Sequence, residues 1–198
     1  LLISGNLADK LKQITDSVIE IFNADFARIW MTKPGDLCDS GCIHTQVLDG
    51  QHVCQYRDMC LHLISSSGRY THIDGEHRRV PYGCYKIGRI ASEEDSKFVT
   101  NDVARDQRVH DNEWARKLGL KSFAGYRLLS ESGKPMGVLA LFSKRHINPE
   151  VDALLESLAS STAQVIQTER AKDALHENET FLDAIVENIP DMIFVKNA

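Results

Sequence analysis

Seven consecutive residues, Met136-Gly137-Val138-Leu139-Ala140-Leu141-Phe142, are apolar without alternation. A strand with one wet face alternates apolar and polar side chains. An unbroken apolar run of this length therefore reads as a central strand covered on both sides. The run before it, residues 122–129, is joined to it by Glu131-Ser132-Gly133-Lys134, which reads as a hairpin turn and makes the pair antiparallel. Such a strand needs an apolar layer against each face, and helices elsewhere in the chain are the candidates. The class expected is α+β.

In residues 7–22, Leu7, Leu11, Ile14, Val18 and Ile21 stand alternately four and three apart, a helical stripe that Ser4 or Asn6 would cap. Residues 26–31 read as a strand ended by Lys33-Pro34-Gly35, and residues 61–65 as another, closed by Ser66-Ser67-Gly68. In that second strand Leu61 and Leu63 share one face, His62 and Ile64 the other. Residues 70–85 are polar and rich in turn formers. A short helix over 86–92, a strand at 98–100 and a short helix over 112–118, stopped by Gly119, follow. Residues 150–187 predict one long helix. Val151, Leu155, Leu158, Thr162 and Val165 form its apolar half, and the same spacing continues on polar residues from Glu169 to Glu179. Pro190 ends it, and residues 191–196 open a further strand.

A length of 198 residues suits one packed domain with extra helices. The net charge of −5 and the absence of a basic cluster beyond His77-Arg78-Arg79 argue against nucleic acid as a partner. No apolar run approaches the ~20 residues that span a bilayer, and the first ten residues lack a basic n-region and cleavage site. A cytoplasmic location is expected.

Four of the five cysteines, Cys38, Cys42, Cys54 and Cys60, fall in residues 37–60, a polar loop that fits neither a core strand nor an amphipathic helix. Three residues separate the first pair, within the range of a zinc half-site, and five the second. A zinc ion on four thiolates would offset the ordering entropy of so long a loop. An iron–sulfur cluster is the lesser metal option, and a thiol switch that includes Cys84 the next. His44 and His52 rank below the thiols as ligands. Unlinked cysteines packed as small hydrophobes are the bland alternative.

Four stretches, taken in order, resemble a GAF domain: Lys86-Ile87-Gly88-Arg89-Ile90-Ala91, residues 98–102, residues 119–128 and residues 133–141. The resemblance runs from about Leu7 to Gln167. It implies a GAF-like antiparallel sheet with helices on both faces: the terminal helices on one, a ligand pocket on the other. Residues 1–167 would be the sensory domain, with 37–60 a cysteine-rich insertion and 168–187 a signalling helix. Residues 188–198 resemble the truncated start of a PAS domain. GAF, helix and PAS in that order imply a bacterial two-component sensor histidine kinase, working as a homodimer paired through its end helices. By family position the pocket would draw on Arg69, Tyr70, Tyr82, Tyr85 and Lys86. Asp102, His110, Trp114, Phe123 and Tyr126 would complete it. Haem would need an axial ligand such as His62, His77 or His110. The cyclic-nucleotide signature of such domains is met only in part, by Lys97, Phe98 and Asp102, and no Cys-His dipeptide supports a bilin. The alternatives are a thiol enzyme resembling free methionine-(R)-sulfoxide reductase, and a ligand-free dimerisation spacer.

Overall fold

The computed structural model describes residues 5–50, 52–92 and 96–188. In chain order it contains α1 (Leu7–Phe22), β1 (Phe26–Pro34), β2 (Met59–Gly68), β3 (Arg79–Pro81), α2 (Tyr85–Ser92), β4 (Lys97–Thr100), α3 (Asn112–Lys117), β5 (Ser122–Leu129), β6 (Pro135–Ser143) and α4 (Pro149–Asn188). The six strands form one antiparallel sheet in the order β3-β2-β1-β6-β5-β4.

The unbroken apolar run is β6, which lies between β1 and β5 and is buried from Met136 onward. From Val138 its side chains part by parity: Leu139 and Leu141 enter one apolar cluster, while Val138, Ala140 and Phe142 enter another on the opposite face. Met136 joins the first cluster, beside an irregularity in the pairing with β5. The first cluster is closed by α1, through Leu11, Ile14 and Val18, and by α4, through Leu155, Ala159, Ala163 and Ile166. Asn6 caps α1: its side chain accepts from the Asp9 amide while the Asp9 carboxylate accepts from the Asn6 amide. Lys10 of α1 pairs with Glu169 of α4 at 2.8 Å. The second cluster is closed by α2 and α3. The architecture is the expected α+β sheet with helices on both faces.

The apolar half of the α4 stripe and most of the α1 stripe are thus spent inside the chain, covering the sheet; Ile21 alone of the α1 stripe is well exposed. Beyond Glu169 the helix continues with every described side chain from Arg170 to Ile185 exposed. At 1.5 Å per residue, the stretch from residue 170 to 188 projects about 28 Å. The expected PAS start lies outside the described residues, apart from Asn188 at the helix end.

β2 runs through Ser66 and Ser67 to Gly68 instead of turning at the serines. An irregularity in its pairing with β1, between Ile29 and Trp30, leaves Ile64 without an opposite residue. Ser65 and Ser67 consequently face α1, where Thr15 exchanges hydrogen bonds with both, at 2.8 and 2.7 Å. Ser66 faces the other way and accepts from Arg28 Nε at 3.2 Å. Buried serines hold a strand when each hydroxyl has a partner, and here each does. Thr15→Val keeps the side chain's shape and removes its hydroxyl. It should lower stability by about 1–2 kcal/mol in a denaturant melt; an unchanged midpoint would mean that the serines find other partners.

Candidate functional site

The face away from α1 and α4 holds a cavity of about 460 Å³, within the usual range for small-molecule sites. Alternation along β1 sends Phe26, Arg28 and Trp30 into it, and β6 contributes Ala140 and Phe142. Lys86 and Ile87 come from the first turn of α2. Gly88 is what lets that turn approach β3: a Cβ there would stand 2.0 Å from the Pro81 carbonyl oxygen. Trp114 of α3 reaches in from the far side, its ring edge-on to Phe26 and Phe142. His77 and His110 meet at 5.9 Å between ring centres and line the cavity with Glu76 and Asp111.

Two cations stand in this aromatic box. Lys86 is 8% exposed, and its amine lies 5.5 and 5.1 Å from the ring centres of Phe123 and Phe142. Burial pushes its pKa down to about 8; Asp111 opposes the shift and Arg28 adds to it. The Arg28 guanidinium lies 5.5 Å from the rings of both Phe26 and Tyr70. His77 is pushed down by desolvation, then by Arg28 and Lys86; His110 by desolvation, then by Lys86 and His77. The histidines are therefore neutral at pH 7, and the positive charge belongs to Arg28 and Lys86.

Of the residues expected to line the pocket, Tyr70, Tyr85, Lys86, His110, Trp114 and Phe123 do. Arg69 instead forms a two-pronged pair with Asp25, at 2.5 and 2.8 Å, at the surface end of β2. Tyr82 is buried but bonded to Thr32 at 2.5 Å outside the cavity lining. Asp102 is exposed, 3.9 Å from Arg105. Tyr126 lies on the opposite face and donates to Asp152 of α4 at 2.8 Å. It sits three residues from Phe123 on one strand, so it has the opposite parity. Arg28, Phe26 and Trp30 were not anticipated, although their two-residue spacing was the signal that would have found them.

The cysteine lobe packs beside this pocket. Cys38 and Cys54 each donate weakly, at 3.8 Å, to the backbone carbonyls of Arg57 and Tyr56. Cys60 donates to Val80 O at 3.4 Å and Cys84 to Val53 O at 3.3 Å. All five thiols are free, and among the described residues no three His, Cys, Asp or Glu side chains are grouped to hold a metal ion. Burial pushes Cys60 up to about 12, and Cys42 and Cys54 add to the shift; Cys84 is pushed up to about 11. His44 and His52, ranked from sequence only as lesser metal ligands, connect the lobe to the pocket. His44 lines the cavity and bonds the Arg79 carbonyl at 3.0 Å. His52 stacks on Tyr85 at 4.2 Å and accepts from its amide at 3.3 Å. His62 is turned out of the cavity toward the Pro34 carbonyl, 2.9 Å away.

A model of the GAF domain matches residues 6–166. The chain belongs to the GAF domain family. Its fold is similar to that of the GAF domain region of a putative membrane protein from Geobacter sulfurreducens PCA, at 23% identity and a TM-score of 0.56, over 82% of this chain and 93% of that one. Free methionine-R-sulfoxide reductase from Neisseria meningitidis, solved with its substrate, shares 19% identity at a TM-score of 0.58, over 84% and 81%. The domain of a putative two-component sensor histidine kinase from Sinorhizobium meliloti 1021 shares 13% at 0.55, over 87% and 99%. At these identities the likeness is one of fold. No curated protein matches the chain.

Lys86 gives this GAF domain a stability cost with a definite pH signature. Its folded pKa of about 8 lies below the ordinary value of 10.5, so between those values the unfolded chain binds more protons than the folded one. Stability contributed by this group therefore rises with pH across that window, and the penalty is full below pH 8. Lys86→Met should stabilise the protein by about 1–3 kcal/mol at pH 7 and by less at pH 10. Thermal melts at the two pH values check this, and a destabilised variant at pH 7 would refute it.

Proposed function

We propose that this GAF domain is the small-molecule-sensing module of a signalling protein, and that pocket occupancy is passed along α4 to the domains that follow. The observation that carries the reading is the aromatic cavity with two desolvated cations. Buried charge lowers stability, and a mere spacer gains nothing from keeping it. The route is short. Ala140 and Phe142 of β6 line the cavity, and Leu139 and Leu141 of the same strand pack in the cluster with α1 and α4. A ligand that shifts β6 shifts the seat of the helix.

The parent in this reading is a bacterial two-component sensor histidine kinase, with a PAS domain after the helix. It works as a homodimer whose α4 helices run in parallel. What supports pairing is that every described side chain from Arg170 to Ile185 is exposed, whereas an unpacked helix of this length is marginal in water. Leu175, Leu182 and Ile185 fall at seven- and three-residue spacing and are all exposed. The seam lies there because Leu11, Ile14, Val18 and Leu155 are already buried within the chain. Light scattering on the whole chain should give a dimer at tens of micromolar, and Leu175→Glu with Leu182→Glu should give a monomer that still melts cooperatively. A thermal-shift screen should find compounds that stabilise both forms. A monomeric parent protein would remove the coupling route, and a screen empty across acids, amines, nucleotides and tetrapyrroles would favour the spacer.

Binding is favoured over thiol catalysis of the methionine-sulfoxide-reductase kind because no cysteine lines the cavity. Cys60 and Cys84 also titrate well above the range of a nucleophilic thiol. For the lobe, the reading is a structural zinc on Cys38, Cys42, Cys54 and Cys60. Its support is that these thiols, though not grouped as a metal site among the described residues, come from one loop and lie near enough for Cys38 and Cys42 to add to the raised pKa of Cys54, and Cys42 and Cys54 to that of Cys60. Zinc would supply the positive charge that lets them ionise. Protein made with added zinc should carry about one ion per chain, its lobe thiols reacting with a disulfide reagent only after chelation. Metal-free protein with the same thiol reactivity in both conditions would refute this.

A further inference from the structure

Lys86 and Arg28 stand where a cation is ordinarily paired. Among the described residues neither meets a carboxylate within 4.0 Å, and Lys86 makes no hydrogen bond. Arg28 uses one nitrogen, Nε, on Ser66 and leaves its two terminal nitrogens without a partner among those residues. The acids nearest them are committed or turned outward: Asp111 accepts from the Trp114 amide at 2.8 Å, and Glu76 is exposed. The other polar groups of the wall are largely satisfied. Trp30 Nε1 donates to the His77 carbonyl at 2.9 Å, Trp114 Nε1 to the Tyr70 hydroxyl at 3.3 Å, and His44 bonds the Arg79 carbonyl. What remains is a pair of donors of like charge, with Arg28 close enough to disfavour the protonated form of Lys86. An anion placed between them would relieve both.

We propose that the pocket takes a small aromatic carboxylate, its two oxygens shared between Lys86 and Arg28 and its ring among Tyr70, Trp114 and Phe142. The inference rests on the reading of this cavity as a ligand site. An oxyanion is called for because the free edge of Arg28 is a two-donor fork that pairs two oxygens at once, and a carboxylate is the smallest group that presents them; the phenyl phosphate titration below separates it from a phosphate. The aromatic part follows from the walls: Phe26, Tyr70, Trp114, Phe123 and Phe142 form a connected set of edge and stacked contacts that a flat ring extends. A volume near 460 Å³ admits a one- or two-ring acid and excludes nothing smaller.

Both tryptophans of the chain line this cavity, so their fluorescence reports on it directly. The protein is titrated with benzoate and indole-3-carboxylate, with the neutral benzamide and indole-3-carboxamide, with cyclohexanecarboxylate, and with phenyl phosphate. At least one aromatic acid should bind ten or more times tighter than its amide. Lys86→Met and Arg28→Gln should each remove most of that preference. Lys86→Met is expected to be the more stable protein, so its loss of binding is not a loss of folding. Amides that bind as well as the acids would overturn anion recognition while leaving the cavity a ligand site. Cyclohexanecarboxylate binding as tightly as benzoate would overturn the aromatic half, and phenyl phosphate binding tighter than every acid would overturn the choice of carboxylate. No binding by any of the six, with a stabilising compound found in a broad thermal-shift screen, would overturn the ligand class alone. No binding in either experiment would bring down the sensing reading as well.

Discussion

The parity of two neighbouring strands governs this molecule. β1 and β6 lie side by side at the centre of the sheet, both buried on both faces, so each of their residues belongs to one of two unlike environments. Odd positions of β1, Ala27, Ile29 and Met31, are small or aliphatic and pack in the cluster under α1 and α4. Even positions, Phe26, Arg28 and Trp30, are aromatic or charged and build the cavity. A one-residue slip would press Arg28 into an aliphatic core and open Ile29 onto the pocket, an exchange that burial energies forbid. The irregularity in β2 opposite this strand serves the same end, because it turns Ser66 toward Arg28 and leaves Ser65 and Ser67 for Thr15.

Most of the fold was legible in the sequence for that reason. An apolar run with no alternation, a hairpin turn and four-three helical stripes each have one simple physical solution, and the elements fall where those patterns put them. The end of β2 was not legible. Three residues of Ser-Ser-Gly look like a turn until Thr15, fifty residues away, supplies the partners that let the serines be buried. β3 was missed because three residues in a turn-rich stretch pair only through the edge of β2.

The site was legible in part, and the misses divide by cause. Residues 70, 85, 86, 110, 114 and 123 reach the cavity by family position. Tyr126 could have been rejected from Phe123 by strand parity alone. Arg69 and Tyr82 could not, since their removal depends on Asp25 and Thr32, partners that only the folded chain brings near. Arg28 supplies one of the site's two cations, yet in the stretch from Phe26 to Met31 every other residue is apolar. In sequence it resembles a lone edge charge, and only the cover on both faces of β1 makes it a buried one.

The position of Lys86 is tied to the cysteine lobe by its neighbour. Tyr85 has φ of 52°, a left-handed conformation that costs a residue with a side chain about 1 kcal/mol or more. Such a conformation persists where the surroundings over-determine it, and here the lobe does so. The His52 ring stacks on Tyr85 and accepts from its amide, His44 meets the same ring edge-on, and the adjacent Cys84 thiol donates to Val53 O. The first turn of α2 thus starts from a backbone angle held by the insertion, and Lys86 is the next residue. Whatever orders the lobe also fixes the direction in which the buried ammonium points. A loop that looks in sequence like a separate appendage is, by these contacts, one wall of the site and the support for its charge.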